Sequence, residues 1–199
     1  MVKNKQADLF QSTVPLSVQT LSHEQRTDWL RLIRSPNIGP ITFRDLINQF
    51  GSASSALSAL EGRAFNGKPF KISSRDAALR ELEMAEKFNA SIVALGEKAY
   101  PQWLQSIDSA PPLLYIKGHE ELGRRPSVGI VGSRNASGAG LKFAGQIAQG
   151  LGEQGFVVVS GLARGIDAAA HSASLPYGTV AVLGGGLDHI YPQQNVEIY

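Results

Sequence analysis

Three apolar, β-branched runs, each ending in a glycine loop, constrain this chain more than any other feature. Val128-Gly129-Ile130-Val131 leads into GSRNASGAG, Phe156-Val157-Val158-Val159 into SGLARGID, and Thr179-Val180-Ala181-Val182-Leu183 into GGGLDHIYP. None of the three has a hydrophilic face. Helical stretches separate them, one from about Ala139 to Glu153 and a shorter one through Ala168, Ala169 and Ala170. Strands of this kind belong in a parallel sheet covered on both sides. The expected fold is therefore α/β, with a Rossmann-like parallel sheet.

Sixteen of the 21 glycines lie from Gly118 onward, so the upstream part reads differently. Ser22 can cap a helix with Gln25 as its capping-box partner, and Trp29, Leu30, Leu32 and Ile33 supply the apolar stripe. Pro36-Asn37-Ile38-Gly39-Pro40 breaks that helix. A second helix comes next, with Phe43, Leu46, Ile47 and Phe50 on one face and Gly51 as its stop. Ser52 to Leu60 reads as a third, and a Gly/Asn/Lys/Pro-rich loop runs on to about Ile72. Ser74 to Phe88 has the pattern of an amphipathic helix. Ser91–Leu95 and Leu113–Ile116 are further strands. The organisation expected is a tail over residues 1–20, a small all-α module over 21–72 and a Rossmann-like domain over 73–199.

Composition removes several functions. With no cysteine there is no disulfide, thiolate zinc site or cysteine nucleophile. His23, His119, His171 and His189 show no metal-ligand spacing, and no metal is expected. No apolar run approaches the roughly 20 residues of a membrane helix. The N-terminus lacks the apolar core of a signal peptide, so a cytoplasmic protein without membrane contact is expected. Net charge is only +2, from 19 basic and 17 acidic residues. A polyanionic ligand would need positive charge placed locally.

It is so placed. Ligands of open parallel sheets bind beyond the strand carboxyl ends, here Gly132-Ser133-Arg134, Ser160-Gly161-Leu162-Ala163-Arg164-Gly165 and Gly184-Gly185-Gly186. Small residues let backbone approach a ligand, and helix N-termini offer amides to phosphate oxygens. After Pro126 the cations are Arg134, Lys142 and Arg164, two of them in these loops. No acid occurs between Arg125 and Glu153. Guanidinium grips phosphate and stacks on bases, which suits a single nucleic-acid strand. The alternative is that each arginine caps a helix or pairs with Asp167 or Asp188.

Other chemistries fit less well. GSRNASGAG is not G-x-G-x-x-G, and the acid that would hold a ribose hydroxyl is missing, so no dinucleotide cofactor is expected. Neither a phosphate-binding G-x-x-x-x-G-K-[ST] loop nor a G-x-S-x-G elbow occurs. Asp167 and His171, four apart on a helix, allow either acid–base work or a structural role, with Asp167 capping amides. The Pro36–Pro40 turn resembles the hairpin of a helix-hairpin-helix motif. Asn37 suits positive φ there, while Pro40 removes an amide donor. Arg26, Arg31, Arg34 and Arg44 make its surroundings basic, partly offset by Asp28 and Asp45, so DNA contact and a plain scaffold both remain open. Tyr100, Trp103 and Tyr115 allow base stacking, but Tyr100-Pro101-x-x-Leu104 reads more simply as a packed turn.

VGIVGSRNAS, VVVSGLARGIDAAAH, GTVAVLGGGLD and YPQQN, preceded by SPNIGP, YPQWL and PPLLYIKG, closely resemble the DNA-processing protein A family (DprA, also called Smf). The resemblance covers about Leu21 to Tyr199. It implies a single-stranded DNA-binding recombination mediator, not an enzyme, that protects incoming DNA in natural transformation and helps load the RecA recombinase. It implies a SAM-like N-terminal module and, in full-length members, a homodimer. The family's strand-binding arginine and basic residue fall on Arg134 and Arg164. Ser133 and the adjoining Gly132, Gly161 and Gly165 would present backbone donors. Members continue well past this point, with more strands and an R-N-R segment, so truncation at the C-terminus is expected. The alternative is a LOG-like nucleotide phosphoribohydrolase, whose P-G-G-x-G-T-x-x-E signature is missing, with Gly184–Gly186 as a faint echo.

Overall fold

The computed structural model describes residues 20–65 and 68–199. The tail expected over 1–20 lies almost wholly outside them.

The helices start where the sequence supplies caps. Helix α1 (His23–Ile33) opens on Ser22, whose hydroxyl accepts from the Gln25 amide while the Gln25 side chain accepts from the Ser22 amide. Helix α2 (Pro40–Phe50) ends at Gly51, which takes the left-handed conformation at φ 80°. Ser52 caps α3 (Ala53–Leu60). Leu32, Ile38, Phe43, Ala56 and Leu57 form the module's core, with Trp29 set edge-on to Phe43 at 4.9 Å between ring centres. The loop expected after α3 contains a short antiparallel pair, β1 (Ala64–Phe65) with β2 (Lys68–Pro69).

Helix α4 (Arg75–Lys87), capped by Ser74, links the module to a second core. Its Ala78 and Leu82 pack on Leu30 of α1 and on Ile92 and Leu113. Those last two belong to β3 (Ala90–Ala94) and β4 (Leu113–Lys117), an antiparallel pair with Ile92 opposite Tyr115. Helix α1 therefore contributes to both cores, Leu32 to the first and Leu30 to the second. Between the strands lies a short α5 (Gln102–Gln105). Tyr100 beside it is buried and donates its hydroxyl to the Pro111 carbonyl at 2.8 Å, as a packed turn requires.

The parallel sheet consists of β5 (Ser127–Gly129), β6 (Val157–Ser160) and β7 (Thr179–Ala181), in that order. Helix α6 (Gly138–Glu153) connects the first two strands and α7 (Ile166–Ser174) the second two. With strands in sequential order, right-handed crossovers put both helices on one face. Ala148 and Leu151 of α6, Ala170 and Ala173 of α7 and Val158 of β6 form that core. The two-sided cover expected from the apolar strands is therefore incomplete. Val131 and Val182 stay 78% and 61% exposed. A cleft of about 980 Å³ runs between β7 and the β3–β4 pair, lined by Leu114, Tyr115, Val180 and Val182 among others. No helix among the described residues is long and apolar enough to cross a membrane.

Candidate nucleic-acid interface

The loops at the carboxyl ends of β5 and β6 are built around two close approaches and one carboxylate. Gly165 sits at φ +80°, and a Cβ there would lie 2.2 Å from the Ser133 carbonyl oxygen, so only glycine lets the loops meet. Gly132 likewise faces the Ile166 side chain, which a Cβ would meet at 2.7 Å. Buried Asp167, in the first turn of α7, fixes both loops. Its carboxylate accepts from the amides of Gly132 (3.4 Å), Gly161 (3.2 Å) and Ala163 (3.4 Å). Of the two roles open to Asp167, the structure shows the amide-capping one.

This network narrows the expectation that Ser133 and adjoining glycines present donors to a ligand, for two of those glycines. The Gly132 and Gly161 amides are taken by Asp167. The Ile166 amide, at the start of α7, donates to the Ser133 carbonyl at 3.2 Å. The Ser133 hydroxyl accepts from the Asn135 amide at 3.1 Å. The amides make a rigid mount, and the side chains carried on it face the solvent.

Those side chains are Arg134 and Arg164, both exposed. Together they line one cavity of about 270 Å³, with Gly161, Gly184, His189 and Tyr191 among its other walls. Ion pairs among the described residues include neither arginine, so the alternative of pairing with Asp167 or Asp188 is not what the structure shows. Of the six expected site residues, Arg134, Gly161 and Arg164 line the cavity. Gly132, Ser133 and Gly165 shape the loops behind it.

The third glycine loop and its sequel supply what sequence reasoning missed. His189, Tyr191 and Pro192 close the cavity's far side. Asn195, buried in the short 3₁₀ turn Gln193–Asn195, reaches back and donates to the carbonyls of Leu162 (2.8 Å) and Ala163 (3.0 Å). Leu162 is itself buried, at φ 55°. The stretch Gly161–Ala163 leading to Arg164 is thus held by its amides to Asp167 and by its carbonyls to Asn195. The available signal was YPQQN itself, an aromatic and a side-chain amide beyond the last glycine loop.

His171 lies deeper. Thr179 Oγ1 donates to the Val158 carbonyl at 2.8 Å, so it must accept from His171 Nδ1, also at 2.8 Å. That leaves Nε2 as an acceptor, buried and without a partner among the described residues. Burial holds this imidazole below its ordinary range, against the opposing pull of Asp167. The described residues contain no cluster of three potential metal ligands.

In the helical module the expected hairpin is present. Asn37 takes φ 65°, as its residue type permits, and Ile38 is buried. The basic residues of α1 and its C-cap are otherwise engaged. Arg26 pairs with Glu97 at 2.7 Å and donates to the Ile92 carbonyl. Arg31 lies 3.6 Å from Asp28 and donates to the Ser73 carbonyl. Arg34 pairs with Glu81 at 2.6 Å, and the Tyr115 hydroxyl also donates to Glu81.

The fold and cavity thus define an α/β domain with a two-arginine pocket at its strand carboxyl ends, preceded by a helix-hairpin-helix module. The chain belongs to the DNA recombination-mediator protein A family. The model of that family matches residues 91–199, and that of the DprA-like N-terminal HHH domain matches 23–84. It is 34% identical over 203 residues to the Smf protein of Synechocystis, covering 90% of this chain and 49% of that protein. It is 48% identical over 101 residues to the DNA processing protein DprA of Streptococcus pneumoniae, covering 50% of this chain and 36% of that one. The solved structure of S. pneumoniae DprA superposes with a TM-score of 0.55 at 29% identity, over 87% of this chain and 58% of the other. The chain therefore spans about half the length, or less, of these curated relatives.

Proposed function

We propose that this chain binds single-stranded DNA in the cavity between its glycine loops, as part of a recombination mediator that protects incoming DNA during transformation and helps load RecA. One observation carries the reading: two guanidinium groups, mounted on a loop scaffold held by Asp167 and Asn195, converge on one cavity with no acid among the described residues paired to either. Unpaired guanidinium in a concave site is what a phosphodiester requires. The proposed role is binding and not catalysis. Asp167, whose carboxylate lies between the first two loops, is occupied by backbone amides. RecA as partner, homodimer formation and a cytoplasmic setting rest on family membership and belong to the same proposal.

Fluorescence anisotropy of labelled oligo-dT, titrated at low and moderate salt with duplex as competitor, tests the core of this reading. Two phosphate contacts give a slope of roughly −1.4 in log affinity against log salt. The Arg134→Ala/Arg164→Ala variant should lose most of that slope and at least roughly 150-fold in affinity, since two hydrogen bonds to charged groups contribute about 1.5–3 kcal/mol each. Equal affinity in the double variant would refute the assignment.

A further inference from the structure

The arginines account for the phosphate but leave a wall of the cavity without a task. Tyr191 stands at that wall. Its side chain is 68% exposed, yet it lines the same cavity as both arginines. Exposed single aromatics are common on surfaces and need no explanation. This one differs in how it is mounted. Four residues on, buried Asn195 donates both its hydrogen bonds to Leu162 and Ala163, in the very loop that carries Arg164. The segment carrying the ring and the loop carrying the guanidinium are therefore tied together through the buried Asn195 side chain. The surfaces nearby (Gly161, Ala163, Leu183, Gly184 and Gly185) are small or apolar and leave room for a flat ring.

Size narrows the ligand. At about 270 Å³ the cavity falls below the roughly 300–1,000 Å³ of pockets that enclose a whole drug-sized ligand. It suits a single nucleotide unit of a longer strand. The aromatics weighed from sequence do not compete for the role. Tyr100 is buried and bonded to Pro111, Tyr115 is bonded to Glu81, and Trp103 is not among the cavity's walls.

We propose that Tyr191 is a base-stacking residue of this site: one nucleotide of the strand sits in the cavity, its phosphate on Arg134 and Arg164 and its base against the Tyr191 ring. This rests on the single-strand reading above and adds to it a contact with the base. Because every base has a π-face, the contact confers no sequence preference.

The test uses the full chain, with Tyr191→Ala and Tyr191→Phe, against oligo-dT and an abasic oligomer of equal length. Loss of one base–aromatic stack weakens binding by about 1–3 kcal/mol, or roughly 5- to 150-fold. Tyr191→Ala should lose oligo-dT affinity within that range, and Tyr191→Phe should keep it. On the abasic oligomer, Tyr191→Ala and the unaltered protein should bind alike, because neither has a base to stack. Equal losses on both oligomers would show that Tyr191 only props the loop, and unchanged oligo-dT binding by Tyr191→Ala would overturn the proposal outright. If in either case the Arg134→Ala/Arg164→Ala variant still loses affinity, only the stacking is wrong. Absence of binding by the unaltered protein would overturn both readings.

Discussion

Arginine is used in opposite ways at the two ends of this molecule. In the helical module Arg26, Arg31 and Arg34 lie along one helix and its cap, and each is engaged with an acid or a carbonyl. In the glycine loops Arg134 and Arg164 face an open cavity with no such partner among the described residues. A count of basic residues ranks the module as the more cationic region, but three of its arginines are engaged, while exposed Arg44 enters no ion pair among the described residues. Charge available to a ligand depends on where the acids are. Two of those that neutralise α1 come from far along the chain: Glu81 in α4 and Glu97 after β3. Distance along the chain does not decide it: Arg26 and Arg34 pair with remote acids, while Arg164, three residues from Asp167, enters no ion pair among the described residues.

This contrast breaks most readily at Glu97. Its carboxylate holds Arg26 and also accepts from the amides of Leu21 and Ala94, at 2.9 and 2.8 Å. With side-chain exposures of 16% for Arg26 and 8% for Glu97, the pair is effectively buried. Removing one partner of such a pair costs about 3–5 kcal/mol, because the other charge is stranded. Glu97→Ala should therefore lower the urea midpoint strongly, while the remaining folded protein binds oligo-dT as before. Arg164→Ala should do the reverse, with stability within about 0.5 kcal/mol of the unaltered protein. Similar stability losses from both substitutions would dissolve the distinction between structural and ligand-facing arginines.

Asp167 sharpens the comparison, because it serves the ligand-facing region without facing the ligand. Asp167→Ala leaves the amides of Gly132, Gly161 and Ala163 without their acceptor. A hydrogen bond to a charged group contributes about 1.5–3 kcal/mol, so a loss in that range is expected. The loops carrying both arginines should loosen together, and oligo-dT affinity should fall although no contact to the strand has been removed. Faster hydrogen exchange at those three amides, with α1 and α2 unaffected, is the diagnostic readout. Unchanged affinity in a folded Asp167→Ala protein would show that the mount is irrelevant to binding.

The parts of this picture that were legible in the sequence are those decided by near neighbours. Ser22 and Gln25 lie three apart, and Gly51 supplies its own left-handed stop. The three apolar runs end in glycine loops wherever the helices run between them. Arg134 and Arg164 could be placed at one crevice because a parallel sheet aligns its carboxyl ends. What was not legible depends on pairing across distance. β3 and β4 form a separate antiparallel pair, a fact held in their register and not in their composition. Arg26 meets Glu97 from 71 residues away, and Asn195 meets Leu162 from 33. Tyr191, four residues before Asn195, lines the cavity in the segment that this link ties back. The occupation of the Gly132 and Gly161 amides was hidden for a different reason: an acid at a helix start can satisfy such groups internally.

The smallest effect expected comes from His171, which also lies against β7 and tests whether the region behind the loops is as rigid as its hydrogen bonds imply. The buried imidazole donates from Nδ1 to Thr179, so a second proton would sit at the buried Nε2. Burial lowers its affinity for that proton below the ordinary value of 6.5. Above that pH both folded and unfolded chains carry a neutral imidazole, and it adds no pH dependence. As pH falls below about 6.5 the unfolded chain takes up a proton that the folded one refuses, so stability declines until the folded value is reached. Glu81 acts in a lower window. Burial raises its carboxyl, but the Arg34 and Tyr115 hydrogen bonds outweigh burial and hold it below 4.5. Its contribution is present above that value and lost as pH falls through the folded one. Urea unfolding measured from pH 7.5 to 5.0 should therefore show a shallow decline that His171→Gln flattens, with no change from Glu81 until the medium is more acidic. A decline that persists in His171→Gln would mean that another group titrates there, and that the buried Nε2 is not the site at which protonation opposes folding.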